Sequence, residues 1–375
     1  MAKIGLVDAD LLDGGTKHPN LCIMKLSGYY KEMGYEVELI ENVGGVQEQD
    51  YEKIFVSKVF NFTKVDERVL GFKNVVCGGT GFFFDKAPDL PYEIEHHMPD
   101  YHIYDNYIAK HPSKNKSQWK DYQDYSIGFA TRGCFRKCKF CVNRKYDRTQ
   151  FHSHIREWYD PDRKYIYLWD DNIFAYSKWR EVFQELLEIN KPFQFKQGLD
   201  IRLLTREKAE ILNKCKYHGD IIFAFDHIED RELIEKKLKL WRSCSFKPTK
   251  LYVLSGFEGI DENEIISVFE RIKIIMTYGC LPYIMRHENY LNSPYKGLFI
   301  QLARWCNQPG LFKKKSFREF CELTQSGIKT KGKLCSAMVA LKEFEEKFPD
   351  IARKYFDLKF EEVKITKKGE LLLWK

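Results

Sequence analysis

No apolar run in the sequence approaches the roughly 20 residues that a membrane-spanning helix needs. The opening stretch, MAKIGLVDADLLDGG, lacks the long apolar core of a secretory leader. Both absences lead to the expectation of a cytoplasmic protein with no membrane partner, in a compartment that keeps thiols reduced. The 11 cysteines then point to metal binding or plain packing, not to disulfides. Dominance of one charge is also missing. The 61 Lys and Arg against 54 Asp and Glu leave a net charge of +7, which favours an anionic partner only mildly. Disorder is excluded by 44% hydrophobic and 31% charged residues, and 375 residues are enough for two or three domains.

What the sequence does have is GFATRGCFRKCKFCVNRKYDR, where Cys134, Cys138 and Cys141 fall within eight residues. A loop with these gaps can aim three thiolates at one point. Unliganded thiols so close together in a basic segment would be reactive, which counts against simple packing. Zinc needs four ligands, and no second Cys-x2-Cys pair accompanies Cys138 and Cys141. His152 or His154 would have to complete a Cys3His site. A [4Fe–4S] cluster takes one cysteine per iron, so three cysteines leave one iron open to a substrate or cofactor.

CFRKCKFC resembles the signature of the radical SAM superfamily, three cysteines with an aromatic residue just before the last. The resemblance implies that Cys134, Cys138 and Cys141 hold a [4Fe–4S] cluster and that S-adenosylmethionine chelates the fourth iron. An injected electron then yields a 5′-deoxyadenosyl radical that abstracts hydrogen from an unactivated carbon. It also implies an electron donor such as flavodoxin or ferredoxin, and it places Phe140 near the adenine. The substrate, a small molecule, peptide or RNA, stays open.

Around the motif, YSIGFATRGC, YIYLWDDNIF, FQFKQGLDIRLL, DIIFAFDHI, KLYVLSGF and CLPYIMRHEN read as strands. SKWREVFQELLEIN, TREKAEILNKCK, DRELIEKKLKLWRS and DENEIISVFERIKIIMTYG read as the helices between them. This alternation suits the superfamily's partial (β/α)6 barrel of TIM type, in which function collects at the carboxyl ends of the strands. By resemblance, Asp170 and Asp171 meet the amino group of S-adenosylmethionine, and Gln197 or Arg202 its ribose or carboxylate. Gly256 and Glu258 in SGFEG match the strand that contacts adenine. Asp226, His227, Arg286 and His287 also stand near strand ends. The competing reading is plain: an Asp there is often a cap, and a His a hydrogen-bonded structural residue.

Upstream, KIGLVDAD, a helix over PNLCIMKLSGYYKEMG ending at Gly34, EVELIEN, YEKIFVSKVF and KNVVCGGTGFFF give a Rossmann-like layout. It resembles the cobalamin-binding domain that precedes many radical SAM barrels. Asp-x-His-x-x-Gly is absent, little room for a helix stands between the last two strands, and Phe82, Phe83 and Phe84 follow GGTG. The expectation is therefore a degenerate domain that does not retain cobalamin, with cobalamin-dependent methyl transfer as the alternative. His96–His97 is read as a solvated face. LFKKKSF and IKTKGK are basic and are read as solvated lysines before RNA contacts. Cys306, Cys321 and Cys335 are read as packing residues.

The expected fold is α/β, with a Rossmann-like, cobalamin-binding-like domain over 1–86, a linker over 87–124 and the partial barrel over 125–292. A mostly helical extension, closed by a strand pair turning at Lys368–Gly369, covers 293–375. Two classes of function compete: a radical SAM enzyme, and a zinc-stabilised nucleic-acid-binding module without catalysis. The length of the alternating scaffold favours the enzyme.

Overall fold

The computed structural model describes residues 2–113, 117–328 and 332–360, and the backbone of 363–365 and 371–373. It divides into two units, Met1–Lys196 and Gln197–Lys375. Among the described residues, no helix is long and apolar enough to cross a membrane.

In the first unit, β1 (Lys3–Asp8), β2 (Glu36–Leu39), β3 (Lys53–Ser57) and β4 (Val75–Gly78) form a parallel sheet in the order β2-β1-β3-β4. Parallel strands covered on both faces read as continuous apolar runs, and Ile4, Leu6, Val7, Ile54 and Val56 are buried accordingly. The helix Leu21–Glu32 starts at Asn20, whose side chain accepts from the Ile23 amide, and Gly34 follows its end at φ +84°. The expected strand over KNVVCGGTGFFF stops at Gly78; the aromatic run turns into a helical turn, Thr80–Phe83. A four-residue helical turn, Glu67–Leu70, also fits between the last two strands, where the sequence leaves little room for a helix.

The segment 87–124, expected as a linker, sends aromatic and aliphatic side chains into the first unit's core. Ile94, Tyr101, Ile103, Tyr104, Trp119 and Tyr122 share one core with Ile4, Leu6, Ile23 and Met24. The Arg163 guanidinium donates to the carbonyls of Tyr122 (2.6 Å) and Tyr101 (2.5 Å), tying the segment to the chain just before Tyr165. Each such fully buried apolar side chain contributes about 1.5–3 kcal/mol.

A second parallel sheet of the same unit has the order β5-β8-β9, from β5 (Tyr125–Gly128), β8 (Tyr165–Leu168) and β9 (Phe193–Phe195). The connection from β5 to β8 carries an antiparallel pair, β6 (Thr131–Arg132) and β7 (Gln150–Phe151). The helix Trp179–Ile189 buries Trp179, Val182, Phe183 and Leu186, while Leu187, expected on the same face, stays exposed.

In the second unit, β10 (Ile221–Ala224), β11 (Thr249–Ser255) and β12 (Leu281–Arg286) form a third parallel sheet. The intervening helices, Arg231–Cys244 and Glu262–Thr277, match the sequence reading, as does Arg206–Lys214 with its Thr205 cap. All six strands read around the cysteine motif are thus present, although FQFKQGLDIRLL keeps only Phe193–Phe195 as strand. Between Lys296 and Tyr355 the described residues are mainly helical; AMVALKEFEEKFPDIARKYFD divides at Pro349 into Ser336–Lys347 and Pro349–Tyr355. Cys306, Cys321 and Cys335 are buried. β13 (Val363–Ile365) pairs antiparallel with β14 (Leu371–Leu373), and the turn at Lys368–Gly369 lies outside the described residues, as do 329–331 of IKTKGK.

Candidate metal centre

The cysteines lie on a loop whose two ends are joined by the β6–β7 pair, with Thr131 opposite Phe151 and Arg132 opposite Gln150. Gly133 enters the loop at φ +89°, and a Cβ there would stand 2.5 Å from the Arg148 carbonyl oxygen. Only glycine meets both demands.

Asp170 and Asp171, just past β8, hang this loop from the sheet edge. Asp170 is 1% exposed. One of its oxygens accepts from the Thr131 amide and hydroxyl, both at 2.6 Å, and the other from the Ala130 amide at 3.2 Å. Burial pushes its pKa up to about 6, and the Thr131 hydrogen bonds act against that rise. Asp171 accepts from the Gly133 amide (2.6 Å) and the Asn143 side-chain amide (2.5 Å), one before and one after the three cysteines. Both carboxylates, expected to face S-adenosylmethionine, are held here by protein donors. Asp170 is enclosed and spent on the backbone, and Asp171 spans the loop. A carboxylate with several N–H donors is an anchor.

The thiols are half-buried, and their sulfurs draw N–H donors. Cys134 Sγ accepts from the Arg136 amide and the Asn172 side chain, both at 3.3 Å, and Cys141 Sγ accepts from the Asn143 amide at 3.4 Å. The Cys141 amide donates to the Cys138 carbonyl at 3.0 Å, turning the chain between the last two thiols. Phe140 is half-buried inside that turn. Asn172 was missed by the sequence reading; its place directly after Asp170–Asp171 was the available signal.

The zinc reading fares worse. Four ligands around zinc at about 2.3 Å put sulfurs about 3.8 Å apart. Among the described residues, the one set of three ligand atoms within 4.8 Å of one another is His227, Glu229 and Glu258, in the second unit. The three cysteine sulfurs do not all lie within that distance of one another. His152 points its Nε2 at Glu95 Oε1 (3.0 Å), and His154 is largely exposed with Glu185 as its ion partner. Neither joins the sulfurs.

In the second unit, Arg202 is committed to acidic partners. Its Nε meets Asp200 at 2.8 Å and its Nη1 meets Asp230 at 2.8 Å. The fork expected to take a ligand carboxylate thus carries two protein carboxylates here. Gly256, at φ +74°, is required by Tyr290, whose Cβ would lie 2.9 Å from an added Cβ, and its amide donates to Glu264. Here it serves packing. The buried Arg271 pairs with Glu264 and donates to the Asp226 and Leu254 carbonyls, locking the ends of β10 and β11. Gln197 is exposed, and Glu258 is hydrogen-bonded to His227. His287 accepts from the Asn289 amide, and Arg286 covers Tyr290.

The carboxyl edge of the four-stranded sheet decides how a cobalamin would fare. Gly78 and Gly79 are the small residues a cofactor would need there; an added Cβ on Gly78 would meet nothing within 4 Å, whereas Gly79 and the nearby Gly81 are crowded. A Cβ on Gly79 would stand 2.2 Å from the Lys58 carbonyl oxygen, and one on Gly81 would stand 2.6 Å from that of Phe60. The glycines thus admit the protein's own loop. Asp10 pins that loop, accepting from Val59 N (2.6 Å), Phe60 N (3.4 Å) and Thr63 Oγ1. Phe82 packs into the sheet's core. At Gly79 and Gly81 that space is taken by the loop.

No family model and no curated protein matches the sequence. Among solved structures, the chain is similar to the radical S-adenosylmethionine methyltransferase TsrM from Kitasatospora setae, with cobalamin and a [4Fe–4S] cluster bound. The likeness has a TM-score of 0.53 at 11% identity and covers 76% of this chain and 72% of that one. The two share a fold. At this identity the likeness extends to the fold alone.

Proposed function

We propose that the chain is a radical SAM enzyme that activates a C–H bond of a substrate still to be identified. The observation that carries the reading is the cysteine loop itself: three half-buried thiols at C-x3-C-x2-C spacing, hung by Asp170 and Asp171 from a parallel strand edge. The fold shared with TsrM supports it. A [4Fe–4S] cluster on Cys134, Cys138 and Cys141 would supply reductive cleavage of S-adenosylmethionine to methionine and a 5′-deoxyadenosyl radical.

The chain's own residues do the rest. Asp170 and Asp171 fix the loop, and the Asn172, Arg136 and Asn143 donors stabilise negative charge on the sulfurs, which tunes a cluster's potential. Phe140 is the apolar neighbour proposed for the adenine. The electron enters from a small carrier such as flavodoxin or ferredoxin. Methyl transfer through cobalamin is disfavoured by the loop that fills the sheet edge beside Gly79 and Gly81.

The test is anaerobic preparation with iron and sulfide, followed by dithionite and S-adenosylmethionine. Brown protein with about four irons per chain that forms 5′-deoxyadenosine is the expected result. Colourless protein carrying stoichiometric zinc would sink the reading.

A further inference from the structure

Asp170, Asp171 and the β6–β7 pair account for the start of the cysteine loop and, through Asn143, for its crossing point. The limb beyond Cys141 is held by a different part of the first unit. Arg144 Nη2 lies 3.3 Å from Asp85 Oδ2, and Lys145 Nζ lies 2.5 Å from Asp89 Oδ1. The Arg144 guanidinium also stands 5.9 Å from the ring centre of Phe84. Across the loop, Lys137, the neighbour of Cys138, donates to the carbonyls of Arg144 (2.7 Å) and Tyr146 (2.6 Å).

The partner segment is itself fixed. It leaves β4 through Gly79 and Gly81, which press on the Lys58 and Phe60 carbonyls. Phe84 adopts φ +50° and ψ −119°, a backbone state that a bulky residue holds only where its surroundings impose it. Such strain gathers at sites where the surrounding structure over-determines the backbone, and here the half-exposed ring stands beside Arg144.

We propose that Phe84–Asp89 is a clamp on the far limb of the cysteine loop, with Asp85 and Asp89 as positioning residues for the three thiolates. This rests on the cluster reading above. Partly exposed ion pairs contribute only about 0–1 kcal/mol each to stability. The clamp therefore acts on geometry: consecutive cations, Arg144 and Lys145, are gripped by one short segment three residues from Cys141. The Rossmann-like domain, its own edge closed, serves the cluster as a support.

The experiment compares wild type, Asp85→Asn/Asp89→Asn and Asp85→Glu/Asp89→Glu after anaerobic reconstitution. The asparagine pair should keep the wild-type unfolding midpoint and iron content. It should cleave S-adenosylmethionine about tenfold more slowly, since small misplacements of a reacting centre cost up to a hundredfold. Its reduced cluster should give a shifted EPR spectrum, and the glutamate pair should restore both readouts. Glu41→Gln, which removes the exposed Lys110–Glu41 pair, should change neither. Wild-type rate and spectrum in the asparagine pair, or equal impairment in the glutamate pair, overturns the clamp. If the asparagine pair fails to fold, Arg144→Gln/Lys145→Gln decides on the same criteria from the loop side. Wild type that binds no [4Fe–4S] cluster strikes the underlying reading first, and the clamp with it.

Discussion

The first unit contains two parallel sheet edges built with one device and put to different ends. After β1, Asp10 gathers the amides of Val59 and Phe60 and the hydroxyl of Thr63. After β8, Asp170 gathers the amides of Ala130 and Thr131 and the hydroxyl of Thr131. Both carboxylates are nearly sealed from solvent, and both tie down a loop that starts at a neighbouring strand. The tied loop over the first edge carries Val59, Phe60 and Phe62, apolar and without chemistry. The tied loop over the second carries three thiols. A buried aspartate at a strand end thus reports a loop that must be held still; the function is in what the loop carries.

The sharpest way to break the comparison is to remove the cargo. Replacing Cys134, Cys138 and Cys141 together with alanine should abolish iron binding and S-adenosylmethionine cleavage and leave the secondary structure by circular dichroism unchanged. 5′-Deoxyadenosine from the triple variant under dithionite would show that the chemistry is elsewhere.

The empty-handed edge makes a complementary prediction. Protein offered hydroxocobalamin during expression should hold no cobalt after desalting, because the loop at Lys58–Phe60 lies against Gly79 and Gly81. Pink protein with one cobalt per chain would overturn the contrast between the edges and move the reaction towards methyl transfer.

Removing the anchors tests whether they are one device. Asp170→Ala leaves three buried donors without an acceptor, and Asp10→Ala one buried and two part-buried donors, at about 1–3 kcal/mol for each buried group stranded. Both should lower the unfolding free energy, Asp170→Ala by about 3 kcal/mol or more. Only Asp170→Ala should lower iron retention as well. Equal iron content in the two variants, measured beside urea denaturation, would remove the distinction between the two edges.

Much of this is legible in the sequence for a physical reason. Strands such as YIYL and DIIFAF are short apolar runs closed by turn residues, and Thr205 caps its helix through a local hydrogen bond. What the sequence hides is long-range. Asp170 finds its donors 39 and 40 residues earlier, and Arg202 finds Asp230 28 residues later. A carboxylate or guanidinium at a strand end announces that it will be paired, not with what, so protein contacts read as ligand contacts. The segment 87–124 reads as a linker because Tyr101, Ile103, Tyr104, Trp119 and Tyr122 follow no helical or strand period, yet all are buried in one core.

The smallest effect concerns how the two sheets' surroundings are joined. Glu95 Oε1 faces Lys25 Nζ (3.0 Å), His152 Nε2 (3.0 Å) and Arg132 Nη2 (3.7 Å). Burial alone would raise its pKa, but the His152 ring 3.0 Å away and the Lys25 and Arg132 charges outweigh burial and hold it at about 2, against an ordinary 4.5. A carboxylate with a depressed folded pKa stabilises the fold fully above its unfolded pKa and loses that contribution as pH falls through the folded one. Burial also lowers the pKa of His152, so its ring resists charging as pH falls below about 6.5, which acts in the same direction. Lys25 is held below its usual pKa by burial, and that penalty offsets part of the gain. The net contribution of Glu95 is then about 2–3 kcal/mol. Glu95→Gln should be less stable than wild type by about that amount at pH 7, and the gap should close between about pH 4.5 and 2. A gap in urea denaturation that stays constant from pH 7 to pH 3 would show that shape, not charge, joins these elements.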